Sequence, residues 1–143
     1  MPVIYSDESG LTCAYVIGAT HRDAGSTAVL HFDIVMYYAF GYPNDEALGS
    51  HALYPHGLAH YDFHSVMNSP LIAELDRRNE VHPRHIAGAY RERFRHWVIT
   101  FHDETLEVIA RDAHVARVTP LQPGAGILEE RSCDRRTKGA NLR

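Results

Sequence analysis

Histidine and carboxylate side chains alternate with apolar ones along residues 95–112, a segment with the pattern of a β-hairpin. A tight turn at Asp103 and Glu104 would make His102 and Glu107 diagonal neighbours across the two strands. A carboxylate beside an imidazole can fix the tautomer that proton transfer needs, or the two groups can bind a metal together. We therefore predict His102 and Glu107 as catalytic residues, with His102 as acid or base and Glu107 as its orienting partner.

A second candidate is the long connection 42–60, which follows neither the helix nor the strand period. Connections of this length are usually functional or disordered, and its tyrosine and histidine content argues against disorder. We interpret it as an ordered loop that carries a site together with the hairpin turn. The predicted ligand-binding residues are Asp45, His51, Tyr54 and Asp103.

The same residues have simpler interpretations, which the sequence leaves open. The start of the loop fits an Asx turn followed by a short helical turn at 46–48, and Tyr54 could be an anchor that packs the loop onto the sheet. The polar face of the strands fits the wet face of an antiparallel sheet, a ligand-binding or acid–base surface, or a metal site.

The three residues His60, Asp62 and His64 occupy alternate positions of a predicted strand, so they would share one face. Imidazole and carboxylate groups bind transition metals, but this spacing is far less specific than the HExxH or paired CxxC motifs, neither of which occurs. We therefore predict no metal and no cofactor, and name these three residues as the ligands if a metal binds.

Composition excludes several classes of protein. The chain has 143 residues, 45 % of them hydrophobic, and a formal charge of −4, which is typical of a globular domain and argues against nucleic-acid binding. No signal peptide is recognisable, and no apolar run is long enough to span a membrane. Two cysteines, Cys13 and Cys133, are too few for a disulfide framework.

These features predict a soluble cytoplasmic protein that acts on a small polar molecule and binds neither nucleic acid nor membranes. A homodimer is left open. The eleven histidines are an excess that favours acid–base, metal or pH-sensing roles. Lys138 is the only lysine beside many arginines, a bias that indicates a bacterial genome rich in G and C.

Apolar alternation predicts the strands that position the candidate residues. They cover 11–18, 28–40, 59–67 and the two arms of 95–112. Along 28–40, the alternate residues from Leu30 to Phe40 form an apolar core face. In the hairpin, the tight turn sets Phe101 opposite Leu106, which predicts burial of the hairpin's apolar face.

Ser69 and Pro70 have the types preferred at a helix N-cap and first position, and the helix is expected to end near Asn79. A second short helix is predicted over 84–94. The order β-β-long loop-β-α-β-β defines an α+β fold with a mainly antiparallel sheet and one or two short helices packed on its core face. We predict one domain over 1–120 and a flexible basic tail over 121–143.

Two resemblances accompany these patterns. The segments Phe-Gly-Tyr-Pro-Asn-Asp-Glu-Ala-Leu at 40–48 and Trp-Val-Ile-Thr-Phe-His-Asp-Glu-Thr-Leu-Glu at 97–107 resemble small bacterial proteins of unassigned function. That resemblance covers about half of the chain and implies no activity. A weaker resemblance is to the vicinal oxygen chelate superfamily, in which a first-strand histidine and a last-strand glutamate bind metal; it implies His31 and Glu107 in those roles.

Three classes of function follow as hypotheses. The first is a small-molecule-binding protein or acid–base enzyme whose His/carboxylate site lies under the 42–60 loop. The second is a non-enzymatic accessory or immunity-type protein that acts through a protein interface. The third is a metal-binding protein with histidine and carboxylate ligands.

Overall fold

A computed structural model describes residues 1–119, 128–131 and 141–142 of the chain. Its architecture is α+β with mainly antiparallel strands and short helices, as the sequence predicts. The strands are β1 Val3–Asp7, β2 Gly10–Val16, β3 Thr27–Gly41, β4 Phe63–Val66, β5 Arg95–Thr100, β6 Thr105–Val118, β7 Leu128–Arg131 and β8 Asn141–Leu142, and the helices are α1 Pro70–Arg78 and α2 Ala89–Arg93.

The chain forms two compact units, and the long strands β3 and β6 contribute residues to each. The first unit contains residues 1–34, 112–119 and 128–131, and the second contains 35–111 and 141–142. The predicted tail over 121–143 falls largely outside the described residues. Its flexibility and the single domain over 1–120 remain predictions.

In the first unit, β1 and β2 form an antiparallel hairpin whose first strand the sequence pattern did not predict. Strand β2 then pairs with β3 so that Leu11 faces Phe32 and Cys13 faces Leu30, all four of which are buried. Gly10 is required here, because a Cβ at this position would lie 2.2 Å from the Phe32 carbonyl oxygen. Burial also raises the pKa of the Cys13 thiol to about 12, which keeps it unreactive.

The apolar face predicted along β3 is correct only for its first half. Leu30 and Phe32 are buried, whereas Ile34, Tyr38 and Phe40 are 51, 44 and 38 % exposed. The reason is local: Ile34 has a φ of 50°, in the left-handed region, and one such residue interrupts the alternation of faces along a strand.

In the second unit the strand order is β6-β5-β4-β8, with β8 parallel to β4 and the other pairs antiparallel. The predicted hairpin is present, but its predicted register is wrong by two residues. Ile99 faces Leu106 and Thr100 faces Thr105, because four residues rather than two connect the strands. The Phe101 N–H donates to the Glu104 carbonyl at 2.9 Å and closes this wider loop.

Helix α1 begins as the sequence predicts. The Ser69 hydroxyl accepts the Ile72 N–H at 3.1 Å, Pro70 occupies the first position, and Asn79 caps the C-terminal end. The second helix is shorter than predicted and covers only Ala89–Arg93. Its N-cap is Gly88, whose φ of 81° suits glycine.

The 42–60 loop is ordered and contributes to the core. It contains two 3-10 turns, Leu48–Ser50 and Tyr54–His56. Three of its leucines form a buried cluster with one residue each from β4 and β5: Leu48, Leu53, Leu58, Val66 and Val98. Val98 belongs to the face that the alternation marks as polar, so this face is covered by the loop rather than solvated.

Candidate functional site

His96 is the centre of a buried polar chain in the second unit. It is 2 % exposed. Its Nδ1 lies 2.8 Å from the Ser69 hydroxyl and its Nε2 lies 2.9 Å from Glu107 Oε1. Because the Ser69 oxygen already accepts the Ile72 N–H, its hydroxyl hydrogen can donate to Nδ1, which leaves the Nε2–H to donate to Glu107.

Glu107 connects this buried chain to solvent, since its side chain is 20 % exposed. Burial by itself raises the pKa of a carboxyl group. The hydrogen bond from His96 and the nearby His96 and His51 rings outweigh that effect, so the pKa of Glu107 lies below its ordinary value. Glu107 is therefore an ionised carboxylate at neutral pH, held in a fixed orientation by His96.

His51 of the loop is the second histidine near Glu107. It is half-buried, and its Nδ1 accepts the Leu53 N–H at 3.1 Å. Desolvation lowers the pKa of His51, and the neighbouring His96 lowers it further, while Glu107 opposes both. We call Ser69, His96, Glu107 and His51 the buried cluster.

Hydrogen bonds from the hairpin fasten the 42–60 loop to the strands. The Thr100 hydroxyl donates to the Ala59 carbonyl at 2.8 Å, and the Thr105 hydroxyl donates to the Pro43 carbonyl at 2.8 Å. Both threonines are buried. The loop that carries His51 is therefore fastened to the hairpin near both of its ends.

A separate group of titratable residues lies at the hairpin turn. His102 donates from Nδ1 to Asp103 Oδ1 at 3.0 Å, and its Nε2 lies 3.8 Å from Asp45 Oδ2. The Tyr61 hydroxyl donates to the same Asp45 oxygen. We call Asp45, Tyr61, His102 and Asp103 the surface cluster.

The charges of the surface cluster support one another. The hydrogen bond to Asp103, with the charges of Asp45 and Asp103, raises the pKa of His102. The hydrogen bond from Tyr61 lowers the pKa of Asp45, and the charge of His102 adds to this effect. At 74 % exposure, however, the His102 side chain is screened by water, so these ion pairs contribute little to stability.

Aromatic rings continue this surface along the loop. The ring centroids of Tyr54 and His60 lie 6.4 Å apart, those of His60 and Tyr61 lie 6.2 Å apart, and those of Tyr61 and His102 lie 6.4 Å apart. Tyr54 is 42 % exposed, so it is not the buried anchor that one interpretation of the loop required. The buried leucines serve that purpose instead.

The predicted site residues therefore belong to two groups. His51 and Glu107 are in the buried cluster, whereas Asp45, His102 and Asp103 are in the surface cluster and Tyr54 lies in the adjoining row of rings. The predicted contact of Glu107 with His102 is replaced by a contact with His96, because the register differs by two residues. A catalytic role for His102 remains a prediction.

His96 and Ser69 are functional residues that the sequence patterns did not predict. The alternation placed His96 on the correct face, and the capping pattern identified Ser69 as an N-cap. Neither pattern could connect them, since they are 27 residues apart in sequence and meet only in the folded chain.

The metal ligands predicted at 60–64 do not share a face. Strand β4 begins only at Phe63, and Tyr61 has a φ of 56°, so the alternation does not extend to His60 and Asp62. His60 contacts the Asp45 carbonyl at 3.0 Å, while His64 is fully buried and accepts the Ala59 N–H at 3.1 Å. Within residues 1–119, 128–131 and 141–142, no group of three or more His, Cys, Asp or Glu side chains could hold a metal ion.

The histidine that the weaker resemblance singles out, His31, belongs to the first unit. Its Nδ1 lies 2.9 Å from the Thr12 hydroxyl and its Nε2 lies 3.2 Å from Asp33. Asp33 also accepts from His114 at 2.7 Å, so this carboxylate joins two imidazoles. His114 therefore pairs with Asp33.

Comparison of the chain with family models, curated proteins and solved structures finds no match. Both helices in the described part of the chain are too short and too polar to cross a membrane.

Proposed function

We propose that the protein is a soluble cytoplasmic acid–base enzyme, or a small-molecule-binding protein, that takes a small polar compound at Glu107 and His51 under the 42–60 loop. The observation that carries the proposal is the position of His96. A fully buried imidazole bonded at both nitrogens does not contact solvent itself, but it fixes the carboxylate that does. Orientation of a reactive group by a buried partner is how active sites are pre-organised.

The two solvent-reachable groups support acid–base chemistry. Glu107 is an acceptor held in one orientation, and the half-buried His51 carries an imidazole whose pKa desolvation lowers below its ordinary value. Carboxylate and imidazole in a partly desolvated setting interact more strongly with a polar ligand than they would in water. Two such polar groups favour a compound with hydrogen-bonding groups over an apolar one.

A screen of small polar metabolites by thermal shift tests this proposal. We expect at least one compound to raise the melting temperature of the wild type, and this shift to disappear in Glu107→Gln and His51→Asn. The matched control is His56→Asn, which replaces an exposed histidine of the same loop. A full set of compounds without effect on the wild type, or equal shifts in all variants, would remove the support for the site.

A protein interface is the second candidate function. The second unit exposes five Tyr or Phe side chains by 38 to 79 %: Tyr38, Phe40, Tyr42, Tyr54 and Tyr61. Aromatic residues are enriched at interfaces. Sedimentation velocity of the wild type and of the Phe40→Ser/Tyr42→Ser variant checks this candidate, because self-association through the aromatic surface should weaken in the variant, and a monomeric wild type would exclude a homodimer.

A further inference from the structure

The second half of β3 has an edge that no described strand covers. A strand has two edges, each of which can form hydrogen bonds with a neighbouring strand. The described neighbours of β3 are β2 and β6, and the pairing with β2 ends at Asp33. Within the part of the chain that the structure describes, β6 alone can therefore pair with residues 35–41, which leaves one of their two edges free. We call residues 35–41 the open edge.

Side chains of the open edge are exposed on both faces of the strand. Tyr38 and Phe40 are exposed, and so is Ala39 between them. Because successive residues of a strand point to opposite faces, neither face is fully covered at this point. A further strand that approaches the backbone here would cover apolar side chains as well as form hydrogen bonds.

The open edge lacks the charges that usually protect such strands. Residues 34–43 are Ile-Val-Met-Tyr-Tyr-Ala-Phe-Gly-Tyr-Pro, a run without Asp, Glu, Lys or Arg. Natural edge strands avoid association by means of charged side chains, proline or an irregular backbone. Ile34, with its left-handed φ, and Pro43 flank the open edge, whereas the open edge itself contains neither a charge nor a proline.

The sequence of the open edge is complementary to itself in the antiparallel direction. When Tyr38 lies opposite Tyr38 of a second copy, Met36 lies opposite Phe40 and Tyr37 lies opposite Ala39. The first two pairs join large apolar side chains on one face, and the third sets a large side chain beside a small one on the other. Apolar and aromatic pairs of this kind stabilise antiparallel strands.

We propose that two copies of this chain form a dimer in which their open edges pair antiparallel about a two-fold axis at Tyr38. The inference rests on the protein interface that is the second candidate function, and it gives that interface a partner and a register. A second copy is favoured over a foreign strand because an uncharged edge cannot select a partner of opposite charge, while two identical uncharged edges do not repel each other. The pairing uses both open edges, so the assembly closes at two copies.

Charges introduced at the two-fold axis test the dimer. Tyr38→Lys would place two positive charges directly opposite each other, so its association constant should be at least about 10-fold lower than that of the wild type in sedimentation velocity over a concentration series. Tyr38→Glu should behave in the same way. An equimolar mixture of the two variants should regain the dimer, since unlike charges then face each other. The matched control is Tyr5→Lys, which changes an exposed tyrosine of the edge strand β1 and should dimerise like the wild type.

Disulfide cross-linking tests the register without introducing a charge. In a Cys133→Ser background, mild oxidation of Tyr38→Cys should give a covalent dimer, because the two thiols meet at the axis. The control is Met36→Cys, whose two copies would lie about 14 Å apart along the paired strands and should stay unlinked. Cys13 is buried and is kept in both variants.

The outcomes separate the inference from the functions proposed above. A wild type that is monomeric at every concentration would overturn the inference together with the homodimer. A dimer with the same association constant in the wild type and in folded Tyr38→Lys would overturn the pairing of the open edges, while an interface elsewhere would stand. Equal cross-linking of Tyr38→Cys and Met36→Cys would overturn the register. The metabolite screen tests the ligand site at Glu107 independently of all three results.

Discussion

At the scale of single residues, the position of His96 explains more of the site than any other feature. Its two nitrogens join the N-cap of α1 to a carboxylate of β6, so one ring connects a structural hydrogen bond with a group that reaches solvent. Buried polar groups are costly unless they are paired, which makes each member of this chain sensitive to substitution.

Ser69→Ala tests the structural end of the chain. The substitution removes the N-cap acceptor of Ile72 and leaves His96 Nδ1 buried without its partner. We expect the free energy of unfolding to fall by about 1–3 kcal/mol, measured by urea denaturation. Ser6→Ala, at an exposed strand position, is the control and should be close to neutral. Equal free energies of unfolding for Ser69→Ala and Ser6→Ala would show that the hydrogen bonds of Ser69 to His96 and Ile72 are not formed in solution.

The pKa values of His51 and His102 should lie on opposite sides of the ordinary histidine value of 6.5. His51 is expected to titrate below it and His102 above it, because burial disfavours the His51 cation and Asp103 with Asp45 favours that of His102. NMR of the ring protons measures both. In Glu107→Gln the pKa of His51 should fall further, since the charge that opposes its lowering is gone, whereas that of His102 should not respond.

The lowered pKa of His51 makes the stability of the folded protein depend on pH. Its pKa is lower in the folded than in the unfolded chain, so below pH 6.5 the unfolded chain binds more protons and stability decreases as the pH falls toward the folded-state pKa. His51→Asn should therefore lose less stability between pH 7 and pH 5 than the wild type does. A steeper loss in the variant would contradict the burial of His51.

At the scale of elements, the 42–60 loop acts as a covering layer for β4, β5 and β6. Leu48→Ala should cost about 2–5 kcal/mol of unfolding free energy, because Leu48 is 1 % exposed and its truncation leaves a cavity. Ile86→Ala, at 67 % exposure, should change stability by less than about 0.5 kcal/mol. A Leu48→Ala variant as stable as the wild type would mean that the loop does not pack on the strands in solution.

The sequence predicted local features well and distant ones poorly, for identifiable reasons. The start of α1 depends on neighbours such as Ser69 and Pro70, so it could be predicted. The hairpin register could not, because a shift by two residues leaves every side chain on the same face and the apolar pattern is unchanged. The burial of the polar face depends on loop leucines that lie about forty residues from the strand they cover, as Leu58 does from Val98.

At the scale of the whole molecule, every side chain of the described core lies at or before Ala110. A chain that ends at residue 120 should therefore fold and unfold cooperatively, and among the described residues it loses the short pairings of β7 and β8. Circular dichroism during thermal unfolding is the measurement. Loss of folded protein on truncation would show that residues after 120 belong to the domain, against the predicted boundary.

The central claim is that Glu107 and His51 bind a ligand, and NMR of the histidine rings during titration with hits from the metabolite screen tests it most directly. The predicted result is that a bound compound shifts the ring signals of His51 and His96, leaves those of His31 and His114 in the first unit unchanged, and shifts nothing in Glu107→Gln. Shifts confined to other histidines, or shifts at His51 that persist in Glu107→Gln, would contradict the claim.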